Sequence, residues 1–215
     1  MQIKNGDFIE IEYIAKIKGT DKIFDLTSES LAKEKGLFDA HRTYGSVIIC
    51  LGKNQILAGL DKKLEGKESS SSYTIDLTPE EAFGKKDIKL IKVYSTKKFI
   101  ENKVNPMPGL QVDMDGLIGI IRSVSSGRTT VDFNHPLAGK EVTYEVKINK
   151  VVTDVKEKLE NFIKFFLNIK DAEVKIEDKK AEIKTKQKIP DELSKFFVKR
   201  IAETIDEIKE VKFIL

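Results

Sequence analysis

The stretch Leu51-Gly52-Lys53-Asn54-Gln55-Ile56-Leu57-Ala58-Gly59-Leu60 decides the reading of this chain. Leading into it, Val47-Ile48-Ile49-Cys50-Leu51 is a row of residues that suits a buried strand. Gly52 can end that strand. Ile56, Leu57, Leu60 and Leu64 then follow at helical spacing as far as Gly66, a glycine placed to close a short helix. One strand therefore delivers one short helix, whose apolar face must lie on a sheet. A helix laid on a curved sheet, with Ile56 and Leu57 at its start, makes a compact apolar pocket.

Upstream, Asn5-Gly6-Asp7 signals a turn and Phe8–Ile17 reads as a strand with one wet face. Phe8, Ile11, Tyr13 and Ile14 cannot share one face of an ideal strand, which calls for a bulge or for burial on both faces. Ile23-Phe24-Asp25-Leu26 begins a second short strand. Asp25 is costly to bury unless it finds hydrogen-bond donors; otherwise it is a strand-end carboxylate facing water. Ser28 to Gly36 reads as a capped turn or two of helix, and His41, Arg42, Thr43 and Tyr44 follow in a surface loop.

Downstream, Ser69 to Ser72 reads as a polar outer turn before the alternating strand Tyr73–Leu77, and Thr78-Pro79-Glu80-Glu81-Ala82-Phe83-Gly84 follows. Residues 85 to 135 read as a small β-rich module. Asp87–Tyr94 is its first strand, Ser95 or Thr96 caps a short helix, and Asp115-Gly116 makes a tight turn. Ile118 and Ile120 are assigned to its core, while Met107 and Met114 suit either the core or an exposed client-binding surface. Asn134-His135-Pro136-Leu137-Ala138-Gly139-Lys140 then precedes the strand Val142-Thr143-Tyr144-Glu145-Val146.

Beyond residue 151, Leu159, Phe162, Ile163, Phe166 and Leu167 form an amphipathic stripe. A hairpin follows around Asp178-Lys179-Lys180, then a helix opened by Pro190 and carrying Leu193, Phe197, Ile201, Thr204, Ile205 and Ile208, then a strand, Val211–Leu215. The order αββαβ implies a three-stranded sheet covered by two helices. Phe165, Phe166, Phe196 and Phe197 come in adjacent pairs, so one of each pair falls off the core stripe. That points to a second buried surface, a homodimer interface through this C-terminal domain or a client site; covering the sheet edge within one chain is the other reading.

Taken in order, Ile11-Glu12-Tyr13, Phe24-Asp25, LGKNQILAGL, TPEEAFG and NHPLAGK with its following strand resemble the FK506-binding type of peptidyl-prolyl isomerase, in its SlyD-like branch with a domain inserted into the flap. The resemblance covers roughly residues 1 to 150. It implies an α+β fold: a curved antiparallel sheet of the FKBP type wrapped on a short helix (residues 1–85 and 134–152), an insert-in-flap domain (86–133) and the αββαβ domain (153–215). It also implies isomerisation of Xaa–Pro bonds, with clients among unfolded or proline-containing proteins held by the insert. Tyr13, Asp25, Phe83 and Tyr144 take the catalytic positions, and Phe24, Val47, Ile56, Leu57 and Leu60 form the substrate pocket. Phe83 stands where the family more often has a hydroxyl donor, and Leu60 where an indole is common, so weaker macrolide binding is expected. The rival reading is a holdase whose isomerase pocket is vestigial.

Composition narrows the rest. Charged residues make up 34%, but Lys+Arg 38 nearly balances Asp+Glu 35, which argues against a nucleic-acid binder. The Lys and Glu content, with one Cys and no Trp, resembles that of hyperthermophile proteins. No apolar run approaches the ~18 residues of a membrane span. The N-terminus lacks a signal-peptide core, and a single cysteine suits a reducing cytoplasm, so a cytoplasmic protein without a membrane partner is expected. Cys50 reads as a small buried hydrophobe. Amide rotation needs no cofactor, and His41 and His135, the chain's two histidines, do not read as a metal site.

Overall fold

The computed structural model describes residues 1–169, 171–186 and 188–214. In chain order the elements are β1 (Phe8–Ile17), β2 (Ile23–Leu26), α1 (Glu29–Glu34), β3 (Val47–Cys50), α2 (Ala58–Leu64) and β4 (Ser71–Leu77). Next come β5 (Ile91–Ser95), α3 (Thr96–Glu101), β6 (Gln111–Met114), β7 (Leu117–Ser125) and β8 (Arg128–Asp132). The chain closes with β9 (Val142–Val152), α4 (Val155–Phe166), β10 (Glu173–Glu177), β11 (Lys180–Lys184), α5 (Asp191–Thr204) and β12 (Glu210–Ile214). Two compact units result: Met1–Leu77 with Val142–Leu215, and Thr78–Glu141.

In the first unit β1 is the axis of an antiparallel sheet. Strand β9 runs along one side of it from Phe8 to Ile17, with β4 beyond. The other side is shared, β3 pairing with Phe8–Ile11 and β2 with Ile14–Lys16. Side chains alternate across a strand, so Ile9, Ile11, Tyr13 and Ala15 share an inner face with Tyr144, Val146 and Ile148 of β9. Helix α2 packs against β4 and buries Leu60 and Leu64 completely. The helix begins later than its apolar spacing implies: Leu57 is its N-cap, and Ile56 precedes it. Gly52 ends β3 at a positive φ of 80°, and its N–H donates to both Asp61 carboxylate oxygens at 3.0 and 2.9 Å. That ties the strand end to the helix.

Of the two readings offered for the strand of Phe8 to Ile17, two-sided burial holds, and the bulge lies in its partner β9 instead. Opposite Glu10 and Ile11 the partner register jumps from Lys150 to Ile148, so Asn149 is the extra residue of a bulge. Its side-chain amide donates to Glu10 and Glu12 at 3.3 Å each. The bulge switches the parity of β9, and Val152 comes level with Phe8 on the outer face. There Phe8, Ile48, Cys50 and Val152 form one buried cluster with Leu159, Phe162, Ile163, Val174, Ile183 and Ile201. The sequence reading draws a boundary between residues 152 and 153; the apolar core runs across it. Cys50 is buried in this cluster, and burial pushes its thiol up to about 11.

The C-terminal segment has the order αββαβ, with β10 and β11 antiparallel and β11 and β12 parallel. Asp154 caps α4 through the Glu157 N–H at 2.7 Å. Pro190 is the N-cap of α5 rather than its first residue, and the helix ends at Thr204; Ile205 and Ile208 are buried beyond it. Strand β12 runs to Ile214, and Leu215 lies outside the described residues.

The second unit is a four-stranded antiparallel sheet in the order β5-β8-β7-β6, with α3 between β5 and β6. Its buried core is Phe99, Val112, Ile121 and Val131, with Met114, Tyr94 and Phe133 packed against it. Two-residue turns join its hairpins at Asp115-Gly116 and Ser126-Gly127, all four residues at positive φ. Two expectations change here. The segment from Asp87 starts as a 3-10 turn (Ile88–Leu90) and becomes a strand only at Ile91. Ile118, assigned to the core, is 63% exposed, because Gly119 takes the inward position opposite Val112. A Cβ on Gly119 would lie 2.6 Å from Val131 Cγ1 and 2.8 Å from Phe133 Cδ1.

Candidate active site

The inner face of the first unit brings Tyr13, Phe24, Asp25 and Tyr144 together. Tyr13 and Tyr144 are diagonal neighbours on β1 and β9, because Tyr13 pairs with Val146 and Tyr144 with Ala15. Their ring centroids lie 5.7 Å apart at 50°. Phe24 meets Tyr144 edge-on at 6.1 Å, a favoured arrangement for aromatic pairs.

Asp25 finds the donors its partly buried position demands. The Tyr13 hydroxyl donates to its Oδ2 at 2.9 Å. Arg42 Nη2 donates to Oδ1 and also to the carbonyl of Leu26, the latter at 2.9 Å. The hydroxyl of Thr27 accepts the Tyr13 N–H at 2.9 Å, and the Thr27 N–H donates back to the Tyr13 carbonyl at 3.0 Å, so β1 and the end of β2 hold these side chains in register.

These contacts set the charges. Burial pushes the Tyr13 phenol well above the usual tyrosine range, and the charge of Asp25 and the bond to it add to the effect. Burial would lower the Arg42 guanidinium, but the bond and charge of Asp25 more than offset it, and its pKa is raised. Tyr144 is pushed up by burial first and by the Asp25 charge second. The site is thus a neutral phenol pair beside an ion pair. Both Asp25 oxygens accept hydrogen bonds, from Tyr13 and from Arg42, so the carboxylate is fully engaged within the protein. The Tyr144 hydroxyl differs from that of Tyr13: no hydrogen bond engages it among the described residues. Among the described residues no fully buried side-chain N or O atom lacks a partner, so this oxygen keeps some contact with solvent.

The remaining sequence candidates fall into three places. Val47 opens β3 opposite Ile11 and lines a cleft with Tyr13 and Arg42. Ile56 and Leu57 are half-buried at the approach to α2, and Leu60 is buried within it. Phe83 belongs to the second unit, where it stacks on His135 at 4.8 Å and 5°.

Known proteins similar to this chain share a family. A family model described as FKBP-type peptidyl-prolyl cis-trans isomerase matches residues 1–100. A short-type peptidyl-prolyl cis-trans isomerase of Methanocaldococcus jannaschii is 30% identical over 149 residues, 69% of this chain and 94% of that protein. The chain belongs to the FKBP-type peptidyl-prolyl cis-trans isomerases. A second family model, described as FKBP26, IF domain, matches residues 92–137, inside the compact unit Thr78–Glu141, so the isomerase carries an insert-in-flap domain. The isomerase is also similar to an FKBP-type 16 kDa peptidyl-prolyl cis-trans isomerase of Escherichia coli, at 31% identity over 47% of this chain and 70% of that protein. A third relative, the FKBP-type peptidyl-prolyl cis-trans isomerase SlyD of Vibrio cholerae, is 30% identical over 45% of this chain and 50% of that protein.

Arg42 is the site residue that sequence reading of this isomerase missed. It comes from the crossing between β2 and β3, read as a surface loop. The signal was indirect: a carboxylate flanked by Phe24 and Leu26 needs a donor, and Arg42 is the arginine in the neighbouring loop. That loop is also built more firmly than its composition implies. Ser28 caps α1 through the Leu31 N–H at 3.3 Å, Phe38 stacks on Tyr44 at 5.5 Å, and Arg42 lies over the Tyr44 ring at 5.5 Å.

Proposed function

We propose that this isomerase rotates Xaa–Pro bonds of unfolded and partly folded proteins in the pocket walled by Tyr13, Phe24 and Tyr144, and holds those clients through its insert. Amide resonance sets a barrier of ~18–20 kcal/mol. The twisted amide at the top of that barrier has lost the resonance that separates charge in the planar one. An aromatic pocket that strips water from the bond therefore favours the twisted form over the planar one. Asp25 works indirectly, fixing the Tyr13 hydroxyl and the Arg42 side chain so that the wall is rigid before substrate arrives. Tyr144 supplies what Tyr13 cannot, since its hydroxyl is not committed within the protein and is free to donate to a substrate carbonyl. The observation that carries this reading is the Tyr13–Asp25–Arg42 network packed against the Phe24–Tyr144 edge contact.

Client holding by the insert is supported by its surface. Ile88, Val93, Ile100, Met107, Leu117 and Ile118 are all exposed on this small unit, more apolar side chains than a solvated face needs. The same observation supports the rival holdase reading. The C-terminal domain leaves Leu193 and Phe196 exposed on α5, which supports a homodimer through that face. Among the described residues no helix is long and apolar enough to cross a membrane. A cytoplasmic location is proposed separately, because the chain's single cysteine suits a reducing compartment.

The test is the cis-to-trans rate of an Xaa–Pro tetrapeptide, measured without protease, for the intact protein and for Asp25→Ala. A clear acceleration that drops about tenfold in the variant, the size of one or two lost charge-assisted bonds, is the expected result. No acceleration of the tetrapeptide or of a proline-limited refolding protein leaves only the holdase reading.

A further inference from the structure

Resting on the isomerase reading, we propose that the end of α4 supplies a second wall of the substrate site, a subsite for the peptide segment that flanks the rotating bond. The stripe of α4 packs on the outer face of the sheet through Leu159, Phe162 and Ile163. Phe165 lies off that stripe and outside the buried cluster. Together with Asn168 it lines a cleft of about 290 Å³ whose other wall is Tyr13, His41, Arg42 and Thr43. Tyr13 belongs to the inner face by register, so the helix end reaches past β3 to the pocket side of the sheet.

The cleft is at the lower end of the ~300–1,000 Å³ of sites that enclose whole small molecules. It suits one or two residues of an extended chain. Its chemistry also suits a peptide rather than an anion. The guanidinium of Arg42 is already neutralised by Asp25. Asn168 accepts from the Thr43 hydroxyl at 3.4 Å through Oδ1, and its NH2 group donates to no described residue. An amide NH2 beside a half-buried aromatic ring is matched by a backbone carbonyl next to an apolar side chain. The occupant is continuous with the proline pocket because Tyr13 and Arg42 belong to both. Strand β3 and α4 are held at fixed spacing by Asn161 Oδ1, which accepts the Ile48 N–H at 2.9 Å and is untouched by changes at Phe165 or Asn168.

Two blocked peptides with the same Xaa–Pro core test this, a tetrapeptide and an octapeptide carrying leucine on both flanks. They are assayed on the intact protein and on Phe165→Ala and Asn168→Gly. Asn168 has a positive φ of 53°, so glycine keeps the backbone while removing the amide. Phe165 is outside the stripe that holds α4, so its truncation spares that packing. In each variant the ratio of kcat/KM for the octapeptide to that for the tetrapeptide is expected to fall about fivefold, the size of one lost hydrogen bond or apolar contact, and the fall appears in KM. An unchanged ratio in either variant, or a change carried in kcat, overturns the subsite. If the intact protein accelerates neither peptide, the isomerase reading itself fails, which is a different result from an unchanged ratio.

Discussion

The two compact units stabilise their sheets by different means. The first buries one face of β1 along its length and the other at its start: Ile9, Ile11 and Ala15 are wholly buried on one side, and Phe8 packs with Leu159, Phe162 and Ile163 on the other. The second has four buried core residues and leaves several isoleucines in water. It compensates with a polar knot around Asp132, whose side chain is 1% exposed. That carboxylate accepts from Lys86 at 3.0 Å, from Arg122 at 3.0 and 2.8 Å, and from the backbone and side chain of Asn134 at 2.9 and 2.8 Å. Asn134 in turn exchanges hydrogen bonds with the backbone of Asp87, tying the start of the insert to its end. A large core can hold a rigid pocket, whereas a small one must be stitched at its ends. The second arrangement leaves apolar side chains at its surface.

The largest effect expected from this contrast is in the first unit. Phe8→Ala removes a ring from the cluster shared by the sheet and the C-terminal segment, at a cost of about 3–5 kcal/mol. The prediction concerns cooperativity: hydrogen exchange in β1 and in β10–β12 rises together. If only the C-terminal strands lose protection, the shared core does not act as one unit.

Asp132→Ala comes next, at about 3 kcal/mol from lost charge-assisted bonds. In a unit this small it unfolds the insert while the first unit keeps its melting transition, as two-dimensional NMR of the intact chain would record. The same residue gives a pH dependence. Burial alone would raise its carboxyl, but the bonds from Asn134, Lys86 and Arg122 outweigh burial and hold it well below the usual range. The folded group therefore binds its proton less tightly than the unfolded chain, whose carboxyl titrates near ~3.9. Its stabilisation is complete above that value and is lost as pH falls through the lower folded one. On acidification wild-type and Asp132→Asn inserts converge in stability; parallel curves down to pH 2 would refute the role given to the knot.

Gly119→Ala ranks third. Its new methyl meets Val131 and Phe133 at less than contact distance, and overpacking of this kind costs about 1–3 kcal/mol. The urea midpoint of the insert should fall without a change in slope. Tyr144→Phe is the smallest and sharpest test. It removes one hydroxyl with no protein partner, so folding stability holds. The tetrapeptide kcat/KM drops about three- to tenfold, the size of one hydrogen bond. An unaltered rate would show that substrate does not use that oxygen.

Much of this was legible in the chain because the signals are local. Gly52 needs a positive φ whatever surrounds it, Asp115-Gly116 closes a hairpin by itself, and the stripe of Leu159, Phe162 and Ile163 dictates which side of α4 is buried. The crowding of Phe8, Ile11, Tyr13 and Ile14 already required a bulge or two-sided burial, and two-sided burial is what the strand has. The ordered blocks from Tyr13 to Tyr144 were enough to place it in its family.

Other features depend on residues far apart in sequence. Arg42 meets Asp25 only because the crossing loop folds back on itself, and nothing local distinguishes that arginine from one in water. Ile118 sits in an apolar run that reads as core, yet strand parity sends it outward because Gly119 must fit under Val131 and Phe133. The single residue Asn149 reverses the parity of β9 and so sends Val152 to the outer face beside Phe8. The sequence by itself determined the elements, their turns and the family, since those follow from short-range backbone preference and periodicity. Which side of each sheet is covered, and what partners the pocket carboxylate, were decided only by the tertiary structure, because burial and charge pairing are properties of contacts between segments.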